Sequence, residues 1–514
     1  MFPKLSDVQS LQTALGNDLF LFRPELAVCA GVVALLVARL VPALDRIHLG
    51  GVALAALGVG VYAAGRQVFE PDGSGTYFAG MLAADAWGRF VRVVVLAAAL
   101  GTVLLTLLTG IPDRADSADF YALLLGGTLG MMLMASAAHL LMVFIAVEMA
   151  SLPGYALAGF LKGKRTGSEA ALKYVVYGAA ASGVMLYGIT LLAGTFGSGA
   201  LDDVARGVAA RGFDLPVAAG VALTLVGFGF KLAAVPFQFW CPDVFEGAAA
   251  EVGGFLSTAS KAGAVGLTGR FLLTLDAARG GGWGVASTVG LGVAAVAVPT
   301  ITFGNLAAFG QTNLKRLLAY STIAHAGYML MGLAVLTRAG AAAVLYYLAV
   351  YAAMNLGAFG VVALVRNATG SEDLRAFRGL VRWNPLAAVA MTVFLVSLLG
   401  LPPLAGFAGK FQVFEAVYRA AKLASASGPP GLGAAFSVLL AVGVLNTVAS
   451  AYYYLKVVGA MLLDEPQSPA PAQGRGPMVE VFLLVLVAFL FAAFLEWDAL
   501  MAETRRAAGA FGGR

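Results

Sequence analysis

Residues 217–240 read VAAGVALTLVGFGFKLAAVPFQFW, an apolar run interrupted by Lys231 and then by Pro236. A lysine at mid-bilayer costs ~2.5–3.5 kcal/mol on insertion scales, so a chain that keeps one there gives it a wet or polar interior to face, and such groups belong by default to an ion or proton path. Proline removes a backbone donor and clashes with the preceding turn, so the helix is expected to break near Pro236. The pattern recurs. Lys261 lies within GGFLSTASKAGAVGLTG (253–269), and Lys410 follows FLVSLLGLPPLAGFAG (394–409), where Pro402, Pro403, Gly406 and Gly409 predict a second break.

The rest of the chain has the composition such segments require. Its 514 residues are 60% hydrophobic and 12% charged, with a mean hydropathy of +0.86, which excludes a soluble domain of this size. About fourteen segments are long enough to cross ~30 Å of hydrocarbon at ~1.5 Å per residue. They are 26–44, 48–65, 88–109, 119–136, 139–160, 169–194, 215–240, 252–275, 284–305, 317–337, 341–365, 385–408, 433–462 and 478–496. None shows the alternation of a barrel strand, and hydrocarbon leaves the helix as the other way to satisfy the backbone. The expected fold class is an all-α polytopic membrane protein.

Several chemistries are disfavoured. The first 18 residues are of mixed polarity and no A-x-A site closes the first apolar run, so that run is expected to act as its own insertion signal. Cys29 and Cys241 form no C-x-x-C pair, and His48, His139 and His325 lie far apart, too few ligands for a haem or an iron–sulfur cluster. No dinucleotide-binding turn or Walker loop occurs in a strand-to-helix context. No cofactor or metal is therefore expected in this chain, and redox or ATP chemistry falls to a partner. A net charge of +5 gives no reason to expect nucleic acid as a partner, whereas membrane lipid is required. Lys and Arg are nearly balanced between the two sides of a fourteen-span topology. The clusters LKGKR (161–165), Lys315 with Arg316, and the loop from Arg366 to Arg382 nevertheless fall on one side, assigned to the cytoplasm, which puts both termini outside.

Two broken helices, each with a lysine beside its break, point to a transporter built from inverted repeats. Local wording agrees: PFQF (236–239) is followed by Phe245 and Glu246, and Pro403 by FQVFE (411–415). Spans four to eight and nine to thirteen form two five-helix units around the paired breaks, and a unit with an odd number of helices is inverted relative to its copy. The predicted divisions are N-terminal helices 1–116, a first repeat 117–277, a second repeat 283–462, and a C-terminal helix and tail 463–514. Prolines that kink helices for packing alone are the plainer alternative.

The remaining ionisable residues fill in a path. Glu148 lies in HLLMVFIAVEMASLPGYALAGF (139–160), where a carboxylate beside buried Lys231 lets each stay charged. A static ion pair or a headgroup contact is the alternative. Snorkelling is the alternative for the lysines, but neither Lys231 nor Lys261 has an obvious route to the interface. Lys173, one turn into its span, is read equally as snorkelling or as an uptake relay. His325, in AYSTIAHAGYMLMG (319–332), is a candidate relay between lysines, set against a hydrogen-bonded packing role. His48 and His139 are assigned to structure, Asp243, Glu246 and Glu251 to solvated loop charge with a proton-collecting mouth as the alternative, and Tyr452, Tyr453 and Tyr454 to an interfacial aromatic belt.

With these residues in view, PFQFWCPDVFEGA (236–248), FLSTASKAGAVGL (255–267), NLKRLLAYSTIAHAGYMLMG (313–332), SLLGLPPLAGFAGKFQVFEAV (397–417) and ASAYYYLKVV (449–458) resemble the antiporter-like subunits of respiratory complex I, subunit N of NADH-quinone oxidoreductase above all. Lysine rather than glutamate at 410 and the SAYYYL run separate this pattern from subunit M. The resemblance implies fourteen helices, two inverted five-helix repeats and a proton-translocating subunit in a bacterial plasma (inner) membrane. It places Glu148 as the channel glutamate, Lys231 as its partner, Lys261 as the central lysine and Lys410 on the exit side. It also implies other membrane-arm subunits as partners, with FMN, iron–sulfur clusters and quinone in partner subunits. A subunit of a multi-subunit cation/proton antiporter is the alternative. One departure stands out: the family usually reads E-G-A-P-T-P where this chain has EGAAAE (246–251), which puts the start of the eighth helix in question.

Overall fold

The computed structural model describes residues 5–41, 47–69, 75–161, 165–278, 283–466 and 477–511. Apart from two breaks, at 233–239 and 400–404, the apolar runs are predominantly helical, as backbone groups deprived of water require. In chain order, α1 (Leu5–Leu21), α2 (Arg23–Arg39) and α3 (Gly50–Phe69) precede a hairpin of β1 (Gly75–Tyr77) and β2 (Leu82–Ala84). Then come α4 (Ala86–Thr109), α5 (Ser117–Ser136), α6 (Leu140–Ala158), α7 (Arg165–Phe196), α8 (Leu201–Arg211), α9 (Leu215–Leu232), α10 (Trp240–Gly247) and α11 (Ala250–Ala277). The second half holds α12 (Trp283–Val285), α13 (Leu291–Ala308), α14 (Leu314–Ala334), α15 (Arg338–Thr369), α16 (Leu380–Trp383), α17 (Pro385–Leu399), α18 (Ala405–Ser427), α19 (Leu432–Leu462), α20 (Pro477–Leu495) and α21 (Trp497–Ala508). Carboxylate caps start α4 (Asp85 to the Gly88 N–H) and α9 (Asp214 to the Val217 N–H), and left-handed Gly110 and Gly370 close α4 and α15.

Burial sorts these helices into interior and periphery. It falls from 94% of the apolar stretch in α14 and α15 to 28% in α3 and α19 and 22% in α20. Along α11 nearly every residue is buried. That helix is the seam of the molecule, packing against α4, α5 and α9 on one side and α14 and α15 on the other. Within the first half α5 packs on α6, α6 on α7 and α7 on α9. In the second, α13 packs on α14, α15 on α17 and α18, and α18 on α19.

All fourteen predicted segments lie on helices, although residues 42–44 of the first fall outside the described residues, as do 162–164 of the LKGKR cluster. Among the described residues eleven helices are long and apolar enough to cross a membrane, and twelve if α1 and α2, bent by 81° at Phe22, count as one span. The two predicted segments beyond that number are α11, which carries Glu251, Lys261, Arg270 and Asp276, and α17, which has only 15 residues before its break. The predicted seventh span, 215–240, is two helices: α9 ends at Leu232 and α10 begins at Trp240. The predicted twelfth, 385–408, likewise divides into α17 and α18, and Lys410 lies inside α18 rather than beyond a helix end. Composition did not anticipate α1, the hairpin, α8 or α21. Helix α8 lies on the body through Leu201, Val204, Ala205 and Val208, the spacing of one amphipathic face.

Candidate functional site

Where α9 stops, its last carbonyls lose their helical partners and must find others. Ala233 turns left-handed, the Ala234 N–H returns to Gly229 O (2.8 Å), and the Trp240 indole N–H, arriving from α10, donates to Phe230 O (3.1 Å). Lys261 supplies the rest: from mid-α11 its Nζ donates to Leu232 O (2.6 Å) and Lys231 O (3.3 Å) and lies 5.7 Å from the centroid of the Trp240 ring. A cation at the negative end of a helix dipole is a favourable arrangement. The break also touches the second half, since the Val235 N–H donates to Thr300 Oγ1 on α13 (3.0 Å).

The second break repeats the contact. Lys410 Nζ donates to Leu399 O (3.1 Å), the last residue of α17, and lies 4.6 Å from the centroid of the Tyr328 ring. Lys231, Lys261 and Lys410 are 1%, 2% and 3% exposed, so none of them snorkels to an interface. Lys231 Nζ itself has no hydrogen-bond partner.

Other predicted residues take different company. Glu148, half-buried on α6, accepts a hydrogen bond from Ser182 Oγ on α7, and no ion pair joins it to Lys231. Glu148 thus bonds a serine and makes no direct contact with Lys231, yet remains near enough for its charge to act on it; α7 packs against both α6 and α9. Lys173 lies about two turns into α7, not one, and pairs with Glu169 (2.8 Å) and Asp243 (2.7 Å). Asp243 also receives Arg316 (2.6 Å), which holds Glu246 as well (2.8 Å), while Glu251 is fully buried against Arg366. All three acids pair with cations from α7, α14 and α15; Glu251 is withdrawn from solvent, while Asp243 and Glu246 stay partly exposed. Lys315 completes the set, bonding Ala248 O (2.6 Å) and Glu372 (2.8 Å). Glu251 occupies the first turn of α11, which begins at Ala250, and this settles the helix start.

His325 sits in a hydroxyl chain. Its Nδ1 is 2.5 Å from Tyr347 Oη and its Nε2 3.0 Å from Tyr454 Oη, which is 2.6 Å from Ser321 Oγ. Beside it, Tyr453 Oη donates to Asn305 Oδ1 (3.0 Å), and Tyr328 Oη meets Thr447 Oγ1 (3.1 Å). Of the three tyrosines assigned to an interfacial belt only Tyr452 is exposed; Tyr453 and Tyr454 are buried. The signal was present in the sequence, because Asn446, Ser450, Tyr453, Tyr454 and Val457 follow the spacing of one helix face. His139 caps α6 and His48 closes a turn before α3, both structural as expected. Among the described residues no group of three or more His, Cys, Asp or Glu is placed to hold a metal. What the site presents is a set of buried amines, phenols and an imidazole able to exchange protons.

Comparison with known proteins gives this arrangement a lineage. Residues 137–427 match the family described as NADH:quinone oxidoreductase/Mrp antiporter, TM. The chain is 43% identical over 462 residues to NADH-quinone oxidoreductase subunit N of Anaeromyxobacter sp. (strain Fw109-5), covering 87% of this chain and 88% of that one. It is 38% identical over 505 residues to subunit N of Chlorobium chlorochromatii, covering 96% and 95%. Among solved structures it is similar to a chain of respiratory complex I from Thermus thermophilus with bound aureothin (TM-score 0.74, 33% identity, 93% and 98% covered). In fold alone it is similar to a chain of the Mrp complex from Dietzia sp. DQ12-45-1b (TM-score 0.81, 22% identity, 96% and 98% covered). With buried lysines at two broken helices and this similarity along nearly its whole length, the chain belongs to the family of NADH-quinone oxidoreductase subunit N.

Proposed function

We propose that this chain is a proton-translocating membrane subunit of an NADH:quinone oxidoreductase in a bacterial inner membrane, coupled to electron transfer in partner subunits. The observation that carries the reading is the pair of buried ammonium groups, Lys261 and Lys410, each donating to the terminal carbonyl of a broken helix. A lysine so placed can gain or lose its proton as the break opens and closes, because the orphan carbonyls favour its charged form and burial disfavours it.

Protons enter from the cytoplasmic side near Lys173, Glu148 and Lys231, pass to Lys261, cross the interior by His325 with Tyr347 and Tyr454, and leave near Lys410. Water chains bridge the gaps, since direct transfer needs groups within hydrogen-bond reach. The chain crosses the membrane fourteen times, with α11 and the α17–α18 pair as crossings, and 117–277 and 283–462 are two inverted five-helix units. FMN, iron–sulfur clusters and quinone are held by the other subunits.

Lys261→Ala and Lys410→Ala should each lower proton pumping and quinone reductase activity at least tenfold while the complex still assembles; wild-type turnover with intact pumping in both variants would sink the reading. The Mrp-like fold supports a second one, a cation/proton antiporter subunit. Purification of the tagged chain separates the two: flavin and iron–sulfur absorbance with NADH:quinone reductase activity supports the first, and membrane subunits alone the second.

A further inference from the structure

Helix α11 carries Lys261 near its middle and is tied on either side of it, in its first turn and about two turns before its end, by partly buried, bidentate arginine–carboxylate pairs. At one end Glu251, fully buried, accepts from Arg366 Nη1 and Nη2 (3.0 and 2.9 Å) in the last turn of α15, and from Thr109 Oγ1 (2.6 Å) at the end of α4. At the other end Arg270 donates from Nη1 and Nη2 to the two oxygens of Asp85 (2.6 and 2.8 Å), the cap of α4, and from Nε to Ala135 O on α5 (2.9 Å). Glu251 is ten residues before Lys261 and Arg270 nine after it, ~15 Å and ~14 Å along the axis.

Between these ties the helix is held by close packing and by a hydrogen bond from the Trp87 indole N–H to Gly266 O (2.9 Å). A Cβ on Gly263 would stand 3.0 Å from Met131 Cβ, one on Gly266 2.7 Å from Val91 Cγ1, and one on Gly269 2.3 Å from Trp87 Cζ2. Glycine lets those neighbours seat closely against α11, and the two ion pairs add directional polar contacts on either side of Lys261. Axial displacement of α11 would move Lys261 Nζ relative to Leu232 O, to which it now donates at 2.6 Å.

We propose that Glu251–Arg366 and Arg270–Asp85 are positioning pairs that fix the axial register of α11 and thereby hold Lys261 on the broken end of α9. The mechanical part stands by itself; its consequence for pumping rests on Lys261 carrying protons. The pair at Glu251 also accounts for a carboxylate where the family's pattern has proline, because the partner Arg366 lies on α15, outside that motif.

The test uses the assembled complex and reads two quantities: amide hydrogen exchange of the segments 253–261 and 262–270, and protons pumped per NADH. Glu251→Gln should speed exchange in 253–261 by roughly tenfold or more and lower the pumping ratio. The swap Glu251→Arg with Arg366→Glu should bring both back toward wild type, which a loss of general stability would not. Where Glu251→Gln blocks assembly, Arg270→Lys, which keeps the charge but loses the fork, is read in the same way on 262–270. Unchanged exchange overturns the proposal. Faster exchange with intact pumping, while Lys261→Ala is defective, overturns the link to Lys261. Faster exchange with intact pumping in Lys261→Ala as well leaves the positioning pairs standing and overturns the proton-carrier reading instead.

Discussion

At the α9 break the ammonium group on the orphan carbonyls comes from another helix, Lys261 of α11 reaching Leu232 across 29 residues of chain. At the α17 break it comes from the continuation of the same helix, Lys410 of α18 reaching Leu399 across 11. A short connection holds its ends together at little entropic cost, so the second contact is set locally. The first depends on how α11 is seated. Surroundings differ as well: near Lys261 lie an indole ring and Lys231 without a partner, whereas Lys410 faces Tyr328 and the hydroxyl and imidazole chain through His325. A broken helix thus provides the carbonyls, but whether their cation is held by local chain or by distant packing distinguishes the two halves.

The strongest way to break the comparison is at Gly406. A Cβ there would lie 1.9 Å from Ser397 O, a backbone atom that cannot swing aside, so Gly406→Val must open the α17–α18 connection. The expected cost is about 3 kcal/mol or more, seen as lost thermal stability and poor assembly. Normal stability with Lys410 function intact would show that the second contact is not set locally.

Effects of different size are expected when the amines are removed. Lys231→Met relieves a buried ammonium of an unmet desolvation cost and should raise stability by about 1–3 kcal/mol while pumping falls. Lys410→Met gives up a hydrogen bond and a ring contact, which offset the same relief, so its stability should change by less than about 1 kcal/mol. Thermal unfolding of the two purified variants side by side checks the difference, and equal shifts would mean that the two sites are energetically alike.

The smallest effect sharpens the contrast in polar networks. Tyr454→Phe strands Ser321 and His325 and should cost about 1–2 kcal/mol and slow pumping. In the first half Tyr174→Phe should be near neutral, because the Tyr174 hydroxyl is buried without a partner and its ring stacks on Trp240 at 4.2 Å either way. A costly Tyr174→Phe would reveal a hydrogen bond, such as one to water, that equalises the halves.

Both breaks and the buried lysines were legible because each is a property of a short stretch: proline at 236 and 402–403, and an amine inside an apolar run. Glu148 stood out for the same reason, as a carboxylate inside an apolar run, and its hydrogen-bond partner, Ser182, did not. The ion-pair partners of Asp243, Glu246 and Glu251 were missed because loop acids are usually solvated, and nothing near them in sequence shows Arg316 or Arg366. The tyrosine run was misread because an aromatic cluster near a helix end suits an interface, and only its phase relative to Asn446 and Ser450 puts two of the three rings inside.

By itself, then, the sequence determined that this chain is helical, membrane-embedded, twice broken and furnished with amines in hydrocarbon, because insertion cost and proline sterics act within a single segment. Only the tertiary structure decided what each amine touches. A hydrogen bond reaches about 3 Å, and its partners here lie 11 residues away for Lys410 with Leu399, 29 for Lys261 with Leu232 and 129 for His325 with Tyr454. Helix order in the bundle, which no local pattern carries, brings them together.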